Sequence, residues 1–253
     1  MTDPRSDIGE HIAATALNRE VDFPSVPASS ILSVTADEMR EVDRVTVEDF
    51  DLLLIQLMEN AGSHLAELVV RRFRPESVVV LCGVGGNGGG GLVAARHLAN
   101  RGVIVHVTLA EDGSRFGEVP GHQLTILQRM EVPVVSQPVT ADVIIDALIG
   151  YSLRGDPLHK TADLIRWANE RETPVCTLDV PSGLDATTGE IRQPCIRATA
   201  TLTLALPKTG LATASGVVGE LYLADISIPS AVYAALGIRI RQIFGASGIV
   251  RLT

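Results

Sequence analysis

Residues 78–98 read VVVLCGVGGNGGGGLVAARHL, and few folds accept such a stretch. Val78, Val79, Val80 and Leu81 are apolar and mostly β-branched, lead into Cys82, and predict a buried strand. Seven glycines then fall within the nine positions 83–91. Leu92, Val93, Ala95 and Leu98 resume with helical spacing. A strand, a glycine-rich loop and a helix in that order bring backbone N–H groups and a helix N-terminus up to an anion, usually a phosphate. Glycine is expected there because a Cβ would block both positive φ angles and the close approach of a ligand.

A nucleoside-triphosphate loop requires Lys and then Ser or Thr after its last glycine. Gly89 and Gly90 stand at those places, so that chemistry is excluded. Gly83, Gly85 and Gly88 satisfy the dinucleotide pattern G-x-G-x-x-G, which also wants an acid closing the next strand. Glu111 and Asp112 lie just past a strand expected over residues 103–109, so a nicotinamide dehydrogenase remains open at this level.

Composition narrows the classes. A net charge of −9 and nine aromatic residues argue against a nucleic-acid groove, which needs positive charge and stacking faces. No apolar run approaches a membrane span, and the acids at Asp3, Asp7, Glu10, Glu20 and Asp22 count against a transit peptide. Three scattered cysteines make neither a disulfide framework nor a zinc site, and a reducing cytoplasm is the expected location. Lysine is scarce, two against nineteen arginines, which we attribute to coding bias.

Residues 1–30 are expected to form a flexible arm with one short helix near 12–17, followed by a single domain over 31–253. Thr35 and Glu38 have the spacing of a capping box. A helix follows with Leu54, Leu57, Met58, Ala61, Leu65, Leu68 and Val69 on one face; Asn60 beside that stripe is expected to be a structural hydrogen-bonder. Beyond residue 91, strands at 103–109, 134–135, 143–147 and 174–180 alternate with helices at 122–130 and 162–171. Strands at 199–206 and 221–226 should extend one edge of the sheet. The alternation predicts an α/β fold, a three-layer Rossmann-like sandwich with a mostly parallel sheet between helices.

In such a sheet ligands sit beyond the carboxyl ends of the strands. Asp146 and Asp179 each terminate an apolar strand, where a carboxylate is costly unless hydrogen-bonded, paired or bound to a cation. Asn87, Asp146 and Ser182 offer hard oxygen ligands suited to an alkali or alkaline-earth ion.

Here a resemblance becomes specific. LMENAG at 57–62, CGVGGNGGGGLVAARHL at 82–98 and DALIGYSLRG at 146–155 resemble the NAD(P)H-hydrate epimerase family, also called the YjeF N-terminal domain. So do LDVPSGLDATTG at 178–189, TLTLALPKTGL at 201–211 and GELYLADISIP at 219–229, in the same order. The resemblance displaces the dehydrogenase. It implies interconversion of the R and S forms of NADH or NADPH hydrated at C6 of the nicotinamide ring, for a separate dehydratase that restores the S form. It implies one potassium ion per subunit on Asn87, Asp146 and Ser182, and a homodimer. Its cofactor-binding positions would be Gly86, Asn87, Gly88, Gly89, Gly90, Gly150, Tyr151, Ser152, Leu153, Arg154, Gly155, Asp156 and Asp179. Our candidate general acid/base is Asp146. No kinase-like dehydratase segment follows within the sequence, so repair is expected to need a partner enzyme. The family loop reads G-x-G-N-N-G-G-D-G; here Gly86 replaces the first Asn and Gly90 the Asp. A non-catalytic scaffold on the same fold is the alternative that these two replacements favour.

Overall fold

The structure, a computed structural model, describes residues 23–253. The helix expected near residues 12–17 lies outside the described residues. The strands are β1 (Ser25–Val26), β2 (Ser77–Cys82), β3 (Ile104–Leu109), β4 (Val143–Ala147), β5 (Val175–Leu178), β6 (Ala200–Leu204), β7 (Glu220–Ala224) and β8 (Ile249–Leu252). They form one sheet in the order β1-β8-β7-β6-β5-β4-β2-β3, parallel throughout except where β8 meets β7. From β2 the chain winds outward to β3, then returns to the other side of β2 as β4. The order therefore reverses between β2 and β4, and the crevice that ligands use in open α/β sheets opens there.

The principal helices are α1 (Ala36–Glu48), α2 (Leu54–Phe73), α3 (Gly86–Ala99), α4 (Glu118–Arg129) and α5 (His159–Asn169); the shorter α6 (Ser215–Val218) and α7 (Ser230–Ala235) follow β6 and β7. Alternation along the strands sorts the layers. Val78, Val80 and Cys82 of β2 pack with Leu65 and Leu68 of α2, Leu92 and Leu98 of α3, and Leu124 of α4. Val79 and Leu81 point the opposite way, to Leu164 and Ile165 of α5. This is the expected three-layer arrangement. The expected capping box is present as well: Thr35 Oγ1 accepts from the Glu38 N–H at 3.2 Å, and the Thr35 N–H donates to Glu38 Oε2 at 2.7 Å.

Three local expectations are corrected. Residues 23–30 do not belong to a loose arm: Phe23 is buried edge-on to Tyr222, and Ser25 and Val26 pair with Arg251 and Leu252. Polar composition concealed this, because two backbone pairs and one aromatic ring hold the segment. Residues 134–135 make only a bridge from Val134 to Val107 instead of a strand. The largest difference is in the glycines. Helix α3 begins at Gly86, so the loop is only residues 83–85 and most of the glycines are helical.

None of the glycines at 83–91 has a positive φ, and close approach explains all of them except Gly85 and Gly86, which have open space around them. A Cβ on Gly88 would stand 1.7 Å from the Gly83 carbonyl oxygen, and one on Gly91 would stand 2.5 Å from Ala147 Cβ. On the other side of α3, a Cβ at Gly62 of α2 would meet Val93 Cβ at 2.4 Å and the Gly90 carbonyl at 2.6 Å. Helix α3 is wedged between the sheet and α2 more tightly than any side chain permits. That contact must outweigh about 1 kcal/mol of helix propensity lost at each interior glycine.

Gly62→Ala should therefore lower the unfolding free energy by about 1–3 kcal/mol through overpacking. Gly121→Ala on α4, where the nearest atoms lie at 3.7 Å, should leave stability unchanged or raise it by up to about 1 kcal/mol. Urea unfolding of the two variants beside the parent chain checks the pair.

Candidate active site

A cavity of about 330 Å³ opens over the carboxyl ends of β2, β4, β5 and β6. Gly86, Asn87 and Gly90 of α3 form one wall. Gly150, Tyr151 and Ser152 after β4, Asp179 after β5, and Leu204 and Lys208 at the end of β6 form the facing wall. Met39, Asp43 and Val47 of α1 with Leu54, Leu57, Met58 and Ala61 of α2 close it with a mostly apolar side.

The electrostatic centre is a buried ion pair. Lys208, 1% exposed, donates from Nζ to Asp179 Oδ1 and, at 2.9 Å, to the Leu204 carbonyl. Asp179 sits at φ +68°, a left-handed conformation that costs a non-glycine residue about 1–3 kcal/mol and clusters at functional sites. Its Oδ2 accepts the Tyr151 N–H at 3.3 Å, while its own N–H donates to the Leu202 carbonyl at 2.7 Å. The Lys208 segment is pinned by Val34, whose N–H donates to the Pro207 carbonyl and whose carbonyl accepts from the Thr209 N–H, both at 2.9 Å.

Tyr151 reaches from this pair to a second carboxyl, since its hydroxyl donates to Asp43 Oδ2. Burial pushes the Asp43 carboxyl above the usual carboxylate range, against the lowering effect of the Tyr151 hydrogen bond and of Lys208. Burial and the neighbouring Asp43 charge likewise push the Tyr151 phenol up. Sequence reasoning missed both Lys208 and Asp43. For Lys208 a signal existed: it is one of only two lysines, and it follows a buried strand inside a matching motif. Nothing in the sequence of α1 distinguishes Asp43 from the solvated acids around it.

Asp146 lies beneath the cavity and contributes nothing to its lining. Its residue is 0% exposed. Oδ1 accepts from Ser182 Oγ at 2.6 Å and the Leu148 N–H at 3.2 Å; Oδ2 accepts from the Ser182 N–H at 2.9 Å and Thr177 Oγ1 at 3.1 Å. Burial pushes this carboxyl up and the Ser182 hydrogen bonds oppose it. Ser182 Oγ also accepts the Ile149 N–H at 2.8 Å. Asn87 lies near the rim: a Cβ on Gly150 would stand 3.3 Å from both Asn87 Oδ1 and Asp179 Oδ2. Asn87 Nδ2 is buried without a hydrogen-bond partner. One carboxylate with neutral oxygens suits a hard, singly charged cation better than a transition metal. Among the described residues no three His, Cys, Asp or Glu side chains group as a metal site.

The other expected positions divide. Gly88 and Gly89 face inward, against Gly83 and Met58, and Leu153, Arg154, Gly155 and Asp156 lie outside the cavity lining. Gly90 lines the cavity, and a Cβ there would stand 2.7 Å from Leu178 Cδ2, so Leu178 fills the space a loop Asp would use. Asn60 is structural, as expected, donating to the Ile226 carbonyl at 3.2 Å and to Ser227 Oγ at 2.8 Å. Asp112 caps the turn at Ser114 at 2.9 Å and Glu111 pairs with Arg115, so neither serves as a ribose acid. No thiol is available as a nucleophile, for burial pushes all three cysteines up, Cys195 to about 12.

The reversed strand order, the helix N-terminus and the charged crevice define an α/β protein of the nucleotide-binding kind. Residues 54–210 match the family model for the YjeF-related protein N-terminus, and the chain belongs to that family. An NAD(P)H-hydrate epimerase of Dehalogenimonas lykanthroporepellens is 45% identical over 91% of this chain and 97% of its own length. One of Weissella koreensis is 37% identical over 78% of this chain and 92% of its own. A bifunctional NAD(P)H-hydrate repair enzyme of Moorella thermoacetica is 37% identical, and its match takes in 40% of that longer protein. The crystal structure of yeast ynu0 (YNL200c) superposes with a TM-score of 0.78 at 26% identity, over 88% of this chain and all of that one.

Lys208→Met should lower stability by about 3–5 kcal/mol, because it leaves the Asp179 carboxylate buried without its partner. Adding Asp179→Asn, an amide that tolerates the left-handed backbone, should recover part of the loss. Denaturant unfolding of the single and double variants checks this.

Proposed function

We propose that the chain is an NAD(P)H-hydrate epimerase, interconverting the R and S forms of the hydrated cofactor. The observation that carries this is the close, nearly full-length similarity to a relative of that name. The cavity supports it. Gly86 and Asn87 open α3 and are not buried, so their N–H groups, which have no acceptor within the helix, suit a pyrophosphate. Asp179 on the cavity wall suits a ribose hydroxyl, and Arg154, exposed in the segment after β4, suits a phosphate. The apolar side formed by Leu54, Leu57 and Met58 suits the nicotinamide ring.

Asn87, Asp146 and Ser182 are proposed as the potassium ligands, for which their side-chain oxygens are suited. Potassium would hold the loops after β2, β4 and β5 together and oppose the Asp146 charge. The sequence made Asp146 the acid/base; with four donors on its carboxylate and no atom on the cavity wall, the geometry supports a holding role for it instead. No described helix is long and apolar enough to cross a membrane. We further propose a cytoplasmic homodimer that passes the S form to a dehydratase, a reading supported by relatives named as bifunctional NAD(P)H-hydrate repair enzymes.

Hydrated NADPH supplied as mixed epimers, with an excess of dehydratase specific for the S form, tests the activity. The protein should carry the R fraction through far faster than spontaneous epimerisation; no acceleration would favour the scaffold. Gly86→Leu, at a position with open space around it, should weaken nucleotide binding at least tenfold by calorimetry without changing Tm. A thallium-soaked crystal should show anomalous density at Asn87, Asp146 and Ser182, and its absence would remove the cation from the proposal.

A further inference from the structure

Three aspartates converge on this region, and their surroundings give them different capacities. Asp146 accepts four hydrogen bonds and does not line the cavity, and Asp179 is ion-paired with Lys208. Asp43 lines the cavity, accepts the Tyr151 hydroxyl on Oδ2, and has no protein partner on Oδ1 among the described residues. We infer that Asp43 is the acid and base that exchanges the C6 hydroxyl, and that Tyr151 positions it. The inference rests on the epimerase activity proposed above.

The step balances on one carboxyl. Protonated Asp43 gives its proton to the C6 hydroxyl oxygen, the C6–O bond breaks with its electron pair on oxygen, and water leaves. The lone pair of the ring nitrogen N1 forms the N1=C6 bond of the resulting cation. Water then attacks C6 from the other face, the π pair returns to N1, and the Asp43 carboxylate takes the proton released. Nothing is oxidised or reduced, and the enzyme ends as it began.

The neighbourhood suits a carboxyl that must start protonated. Met39, Leu57 and Met58 share the cavity wall with it, and burial raises its pKa. Of the charged and titratable groups facing it, Tyr151 and Lys208 lower that pKa and Asp179 raises it; Tyr233 also lies within its field, and Arg40 acts on Tyr151. Tyr151 joins the two carboxyls, with its N–H on Asp179 and its hydroxyl on Asp43, so the acid keeps a fixed place relative to the ion pair.

The test measures R-to-S conversion by the full chain across pH, with binding of NADPH measured separately. Since the acid form is active, enzymatic turnover should fall as pH rises through the raised Asp43 pKa. Asp43→Asn should reduce kcat about 10²–10⁴-fold, with KM and NADPH affinity within about threefold of the parent. Asp43→Glu should recover at least tenfold over the amide. Tyr151→Phe removes a hydrogen bond that lowers the pKa, so the falling limb should move to higher pH, which a purely structural tyrosine would not produce. If Asp43→Asn does not fold, the limb shift in Tyr151→Phe and Asp43→Glu decides. An active parent whose Asp43→Asn form keeps a third or more of its kcat, or whose limb is unmoved in both other variants, overturns the inference and leaves the epimerase standing. An inactive parent overturns the epimerase itself.

Discussion

Helix α3 lies so close to the sheet and to α2 that only glycine fits at the points of closest approach, and the rest of the molecule is arranged around that contact. Where Gly91 meets Ala147 the helix touches β4, and where Gly62 meets Val93 it touches α2. The same approach brings its first turn over the ends of β2 and β4, with Gly86 and Asn87 on the cavity wall. A bulkier helix would stand farther off and widen the crevice. The glycines thus set the width of the site through packing, and their loss of helix propensity is the cost of that width.

The overall plan was legible in the sequence because it rests on periodicities that survive tertiary contact. Buried strands read as apolar runs at 78–81 and 143–147, and the capping box at Thr35 marked a helix start that the structure keeps. The glycine run was misread because one composition serves two ends: loop glycines answer to backbone angle, these mainly to distance, and only the folded packing separates the two. The strands at 25–26 and 249–252 were invisible for a related reason. Each is short, and each exists because a neighbouring edge offers it a partner: β7 for 249–252, and that strand in turn for 25–26.

The site was half legible. Asp146 and Asp179 announced themselves as charges closing apolar strands, but their burial looked equivalent on paper. The structure separates them: one is enclosed by hydroxyl and amide donors, the other faces the cavity with a lysine. Lys208 completes what no spacing argument could, a partner 29 residues away that neutralises Asp179. Asp43 comes from a helix outside the matched family segment, and only folding brings its carboxyl to the loop after β4.

The short pairings at the two margins of the sheet have a consequence for how copies of the protein meet. At one margin β1 covers β8 with two residue pairs, and at the other a single bridge from Val134 covers the middle of β3. Each interrupts the row of free backbone donors and acceptors that an incoming strand would need. Two subunits cannot extend one continuous sheet without first peeling these flaps away. Assembly is thereby directed to surfaces of side chains, and ribbon-like association through the backbone is discouraged even in a concentrated solution.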